Sequence, residues 1–219
     1  MSELLSLYAT FMLISLSGAL SPGPLTALAI GEGARAGRWA GTRLALGHGL
    51  VEIPFVFAIA YGLGEWLRRP AVGGAIGVVG AGVLLWMGYS LLADAWHGRA
   101  SLAAAAHASP TVGLRFGHVP GGLIFTVTNP YWSLWWVTLG AAYVARVAAH
   151  STAPAAIAGL ALSHWSIDLL WLGGLSLLVA SGRRLIGDRG YRLILLVCGV
   201  FLLVFGLYFG WNGLMFLSR

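Results

Sequence analysis

Residues 11–30 read FMLISLSGALSPGPLTALAI, an apolar run broken once, at Ser21-Pro22-Gly23-Pro24. A second apolar run is broken in the same way at Thr128-Asn129-Pro130. Proline lacks an amide hydrogen, so each break leaves a carbonyl one turn earlier without its helical partner. Hydrocarbon tolerates such a group only where the break lines a cavity inside the protein. The two breaks are therefore read as walls of a binding site.

Composition places the chain in a bilayer independently of the breaks. Apolar residues make up 58% of the 219 and charged residues 9%, whereas soluble domains carry about a quarter charged. Six apolar stretches, roughly 4–30, 44–66, 71–93, 119–145, 153–181 and 190–217, approach or exceed the ~20 residues a membrane-crossing helix needs. They are too long and too evenly apolar for the alternating strands of a barrel. The expected fold is all-α and integral to the membrane, with six transmembrane helices, the first and fourth broken at their prolines. No basic residue precedes the first apolar run, which outlasts a signal peptide and reads as a retained helix. Cys198, the single cysteine, excludes an intrachain disulfide and reads as a small core residue.

All thirteen basic residues are arginine. Arg35, Arg38, Arg43, Arg99, Arg115, Arg183, Arg184, Arg189 and Arg192 fall after the first, third and fifth spans, against Arg68, Arg69, Arg146 and Arg219 on the other side. Basic residues accumulate in cytoplasmic loops. A multi-pass protein of a bacterial or archaeal-type inner (plasma) membrane with both termini extracytoplasmic is expected. The dispersal of arginines among short loops argues against nucleic acid as a partner.

An internal repeat organises the chain. Ala45-Leu46-Gly47-His48-Gly49-Leu50-Val51-Glu52 is echoed by Ala161-Leu162-Ser163-His164-Trp165-Ser166-Ile167-Asp168. Both place a histidine after a small residue and an acid four positions later. Leu84-Leu85-Trp86-Met87-Gly88 is echoed more weakly by Leu202-Leu203-Val204-Phe205-Gly206. The units are 1–96 and 119–219, joined by a polar linker over 97–118 that contains Ala103 to Ala106 and Ser109-Pro110. Three helices per unit is an odd number, so the second unit enters the membrane inverted, an arrangement that puts a transporter's site at the midplane.

His48, Glu52, His164 and Asp168 are the informative ionisable groups, because each pair shares a helix face and lies inside an apolar run. Ionisable groups at that depth need partners and mark ion or substrate pathways. They suit proton coupling or substrate contact; structural pairing between helices and ligation of a divalent metal stay open on spacing alone. Free backbone groups at Ser21, Pro22, Gly23, Pro24, Asn129 and Pro130 suit a zwitterion, and the Ser21 and Asn129 side chains can hydrogen-bond it. Trp132, Trp136 and Trp165 are candidates for an aromatic cavity wall, where a ring face would hold an ammonium. Gly73, Gly77, Gly206 and Gly210 read as close helix packing or as the seam of a homodimer. His97, His107, His118 and His150 read as solvated loop residues.

The chain has no lysine and no phosphate-cradling loop, which excludes an ATP-driven pump within it. Ser21 with His48 or His164 supplies no oxyanion hole or orienting third group, so an enzyme is not expected. No cofactor is expected either.

The chain resembles the lysine-exporter (LysE/RhtB) superfamily of small bacterial efflux proteins over its length, helix count and repeat layout. That family's Ser-Pro-Gly-Pro signature is matched at Ser21 to Pro24, followed by the small residues Gly31, Gly33, Gly37 and Gly41. Its Asn-Pro-Lys signature is matched at Asn129 and Pro130, with Tyr131 in place of the lysine. The resemblance implies a secondary transporter that exports amino acids or related small amphiphilic solutes, driven by the proton gradient, with protons and lipid as its other partners. It equally implies an alternative, since some relatives handle metal cations: a divalent-metal exporter with His48, Glu52, His164 and Asp168 as ligands.

Overall fold

The computed structural model describes residues 2–67, 69–97, 114–151, 153–181 and 183–218; most of the linker, with His107 and the alanine run, lies outside them. Every regular element among the described residues is helical. In chain order they are α1 (Ser2–Ala19), α2 (Pro24–Ala36), α3 (Ala40–Ala58), a wide π turn (Ile59–Leu63) leading into α4 (Gly64–Leu67), and α5 (Pro70–Trp96). The second part holds α6 (His118–Val127), α7 (Pro130–Trp135), a second π turn (Trp136–Gly140), α8 (Ala141–His150), α9 (Pro154–Ser181) and α10 (Arg183–Leu217).

Four helical stretches are long and apolar enough to cross a bilayer: Ala40–Trp66, Pro70–Trp96, Pro154–Ser181 and Gly187–Leu217. A fifth is the pair Glu3–Ala19 and Pro24–Ala36, which meets at 69° across the Ser-Pro-Gly break. The remaining apolar stretch of sequence is divided among α6, α7 and α8, none of which is long enough to cross alone.

Local chemistry explains the divisions. Pro24, Pro70, Pro130 and Pro154 each stand at the first residue of a helix, where the missing amide hydrogen has no partner to lose. Asn129 caps α7 by accepting the Tyr131 amide hydrogen at 3.1 Å. Pro54, inside α3, removes one rung of the ladder, and the helix widens beyond it at Ile59–Leu63, around Gly62, whose φ of 128° only glycine adopts readily.

Glycine sets how closely the helices approach. α5 and α10 run antiparallel with Gly77 against Gly213 and Gly88 against the Gly199 carbonyl, so Gly77, Gly206 and Gly210 serve packing within one chain. A Cβ at Gly47 would strike the Val119 carbonyl of α6, one at Gly122 the Leu44 carbonyl of α3, and one at Gly41 the Leu172 carbonyl of α9. α3 is thus clamped between α6 and α9, with its polar face inward. Phe11, Trp136, Ile157 and Leu160 fill the core beneath that face. Large apolar side chains such as Leu13, Val79, Trp86, Leu170 and Leu193 point outward, the arrangement a lipid-facing surface needs.

Candidate functional site

α3 and α9 carry the two histidine and acid pairs to one point. His48 Nε2 lies 2.8 Å from Glu52 Oε2, and His164 Nε2 lies 3.4 Å from Asp168 Oδ2. Across the helices, His48 stands 3.7 Å from Asp168 and His164 3.6 Å from Glu52. All four side chains are buried.

The two acids differ in their partners. Glu52 Oε2 accepts the indole hydrogens of Trp132 and Trp136, both at 3.1 Å, besides facing His48. Asp168 Oδ2 is buried with no hydrogen-bond partner, as are Glu52 Oε1 and His164 Nδ1. On its other side His48 Nδ1 meets Thr126 Oγ1 at 2.8 Å, while that hydroxyl donates to the Gly122 carbonyl at 2.7 Å. The Thr126 hydrogen is thereby committed, so its oxygen accepts from Nδ1. An oxygen already taking two indole hydrogens is likewise best matched by a donor at Nε2. Both nitrogens of His48 therefore face oxygen atoms, one on Thr126 and one on Glu52.

Both proline breaks open on the same small cavity of about 50 Å³, bounded by Ser21, Gly23, Asn129, His48, His164 and Asp168. That volume suits a water or little more. Ser21 Oγ donates back to the Gly18 carbonyl at 2.6 Å, and Thr26 Oγ1 donates to the Ser21 carbonyl at 3.2 Å. Pro24 starts α2 beside the cavity, Pro22 turns outward toward Val197 and Phe201 of α10, and Pro130 starts α7.

The tryptophans separate into different places. Trp132 borders the cavity, whereas Trp136 is fully buried behind it and bonds Glu52 from there. Trp165 stands apart, lying over Gly49 and donating to the Ala45 carbonyl at 2.8 Å. Trp135, absent from the expected wall, borders the cavity with its ring centroid 4.5 Å from that of His164. Tyr131 also borders it, and its hydroxyl donates to the Ser17 carbonyl at 2.9 Å.

A further polar cluster was not legible from spacing. Glu32 of α2 takes a fork of hydrogen bonds from Arg35 and lies 2.9 Å from His118 Nε2 at the start of α6. His118 is thus part of a half-buried bridge between the two halves, and the expectation of a solvated loop residue fails for it. His97 and His150 are exposed, as expected.

A helical multi-pass chain whose broken helices and buried ionisable groups meet at an internal cavity belongs to the class of membrane transporters. More narrowly, the chain belongs to the LysE type translocator family, whose model matches residues 16–213. It is 24% identical over 214 residues to a protein of Bacillus subtilis (strain 168) described as "Putative amino acid efflux protein YcgF", a match covering 96% of this chain and 98% of that relative. No solved structure matches it.

Proposed function

We propose that this chain exports amino acids or related small amphiphilic solutes by proton-coupled alternating access. The observation that carries the reading is the convergence of both helix breaks with His48, His164 and Asp168 on one cavity, Glu52 lying behind it against His48. In the proposed architecture, units 1–96 and 119–219 form inverted three-helix repeats spanning an inner membrane six times, with both termini extracytoplasmic.

The acids take unequal parts. Glu52 is the fixed counter-ion of His48, held by two indoles. Asp168 borders the cavity with an unpartnered oxygen and is the group that exchanges. A substrate ammonium binds Asp168, while its carboxylate meets the amide hydrogens of the first turn of α2, where Leu25 and Thr26 line the cavity. A proton arriving from outside neutralises Asp168, weakens its hold on the ammonium and releases the substrate outward. The 50 Å³ space is an occluded form that widens when the halves part.

A second reading has a specific observation behind it: His48, Glu52 and Asp168 offer ligand atoms within 4.8 Å of one another, a spacing a divalent cation could use. Glu52 Oε2 is taken up by two indole hydrogens, which leaves the unpartnered Oε1 as the oxygen such a cation would use. One experiment separates the readings. Proteoliposomes loaded with an amino-acid pool and several divalent metals receive an inward proton gradient, and the released material is identified by mass and elemental analysis. Release of an amino acid that is lost in Asp168→Asn supports the solute reading; release of a metal overturns it.

A further inference from the structure

The polar cavity shares a wall with a much larger apolar one. The second holds about 820 Å³, lies between α5, α10 and the α7 segment with Ile76, Leu134, Val137, Phe205 and Phe209 among its walls, and opens on the outer surface at Leu139, Tyr208 and Phe216. Tyr131 and Trp135 border both cavities. Both are fastened to one residue at the broken end of α1: the Tyr131 hydroxyl donates to the Ser17 carbonyl, and the Trp135 indole donates to Ser17 Oγ at 3.2 Å. That carbonyl is available because the Ser21 amide bonds the Gly18 carbonyl instead. Gly18 leaves room for the Trp135 ring, which a Cβ there would approach to 3.1 Å. The partition thus consists of two rings hung from the hinge between α1 and α2.

The polar cavity of about 50 Å³ must widen to take any amino acid, and the adjoining space of about 820 Å³ behind Tyr131 and Trp135 is the room beside it already large enough for a bulky side chain. The polar groups bordering the larger cavity are neutral: Ser17, Thr138, Asn212 and the tyrosine hydroxyls, with no acid, arginine or histidine. A charged side chain would lose its water there without gaining a partner.

We propose that the apolar cavity receives the side chain of the substrate, which makes the chain selective for amino acids with large apolar side chains over basic or acidic ones. Tyr131 and Trp135 are the specificity-determining partition: bending α1 at its break releases both rings from Ser17 and joins the two spaces. This inference rests on the amino-acid exporter reading.

The test uses proteoliposomes loaded with equal leucine, phenylalanine, alanine and lysine. The unmodified chain is expected to release leucine and phenylalanine at least about tenfold faster than lysine. Ile76→Trp, which fills the apolar cavity from α5, is expected to slow leucine and phenylalanine about tenfold and alanine less than about twofold. Val137→Trp fills it from the opposite wall and serves if the first variant fails to fold. Lysine released as fast as leucine overturns the inference and leaves the exporter reading standing. So does a filled cavity that slows all substrates equally or none, the pattern of a groove occupied by lipid chains. Release of metal with no amino acid overturns both.

Discussion

Glu52 and Asp168 hold equivalent places in their helices, four residues after a histidine, yet their surroundings make them different groups. The equivalence is legible in the sequence because it is local. The difference is not, because it comes from Thr126, Trp132 and Trp136, which reach α3 from 78, 80 and 84 residues away. Removing one partner of a buried pair costs about 3–5 kcal/mol, so Glu52→Gln is expected to lower the thermal unfolding midpoint in detergent clearly. Asp168→Asn alters an oxygen that makes no hydrogen bond but stands 3.4 Å from His164 and 3.7 Å from His48, and is expected to lower that midpoint less than Glu52→Gln does while abolishing gradient-driven efflux. Equal destabilisation by the two variants, or efflux surviving in Asp168→Asn, would contradict the assignment. Trp136→Phe keeps the ring and removes one donor to Glu52; a loss of about 1–3 kcal/mol is expected from the same unfolding measurement.

Among elements, the ones legible in advance are those whose boundaries are written in local chemistry. Proline at the first helical residue marks α2, α5, α7 and α9, and Asn129 marks the cap of α7. Asn129→Ala removes that cap and is expected to cost about 1 kcal/mol, with a larger loss of transport because the cap also borders the cavity. The two π turns were not legible: one lies beyond Pro54, and the other lies among aromatic side chains that periodicity reads as ordinary helix. Helix contacts made through glycine were legible only as small residues, not as pairs. Gly47 meets the Val119 carbonyl so closely that no side chain fits. Gly47→Val is therefore expected to part α3 from α6 and to unfold the chain well below the unmodified protein, whereas Gly82→Val, with open space around it, is expected to be neutral. Circular dichroism melts of the two variants in one detergent make the comparison.

At the scale of the whole molecule, the sequence suggests six spans with the first and fourth broken; among the described residues the structure has four continuous stretches long enough to cross and a fifth made of α1 and α2, while α6, α7 and α8 are each too short to cross alone. In the proposed cycle the bent pair α1 and α2 and the short helices α6 and α7 are where bending costs least, since a helix already broken can bend without breaking more hydrogen bonds. The bridge of Glu32, Arg35 and His118 ties α2 to the start of α6, with Glu32 and His118 86 residues apart in sequence. It lies beside the arginine-rich connections, at the end expected to face the cytoplasm. In the proposed alternating-access cycle this end has to open when substrate is loaded. Joining Glu32→Cys and His118→Cys with a short bifunctional thiol reagent, in a Cys198→Ala background, is therefore expected to stop efflux, and a cleavable reagent should restore it on reduction. The single variants treated in the same way should keep their transport. Efflux continuing at full rate through the cross-linked protein would mean that α2 and α6 stay together throughout the cycle, and the opening would have to be sought elsewhere in the bundle.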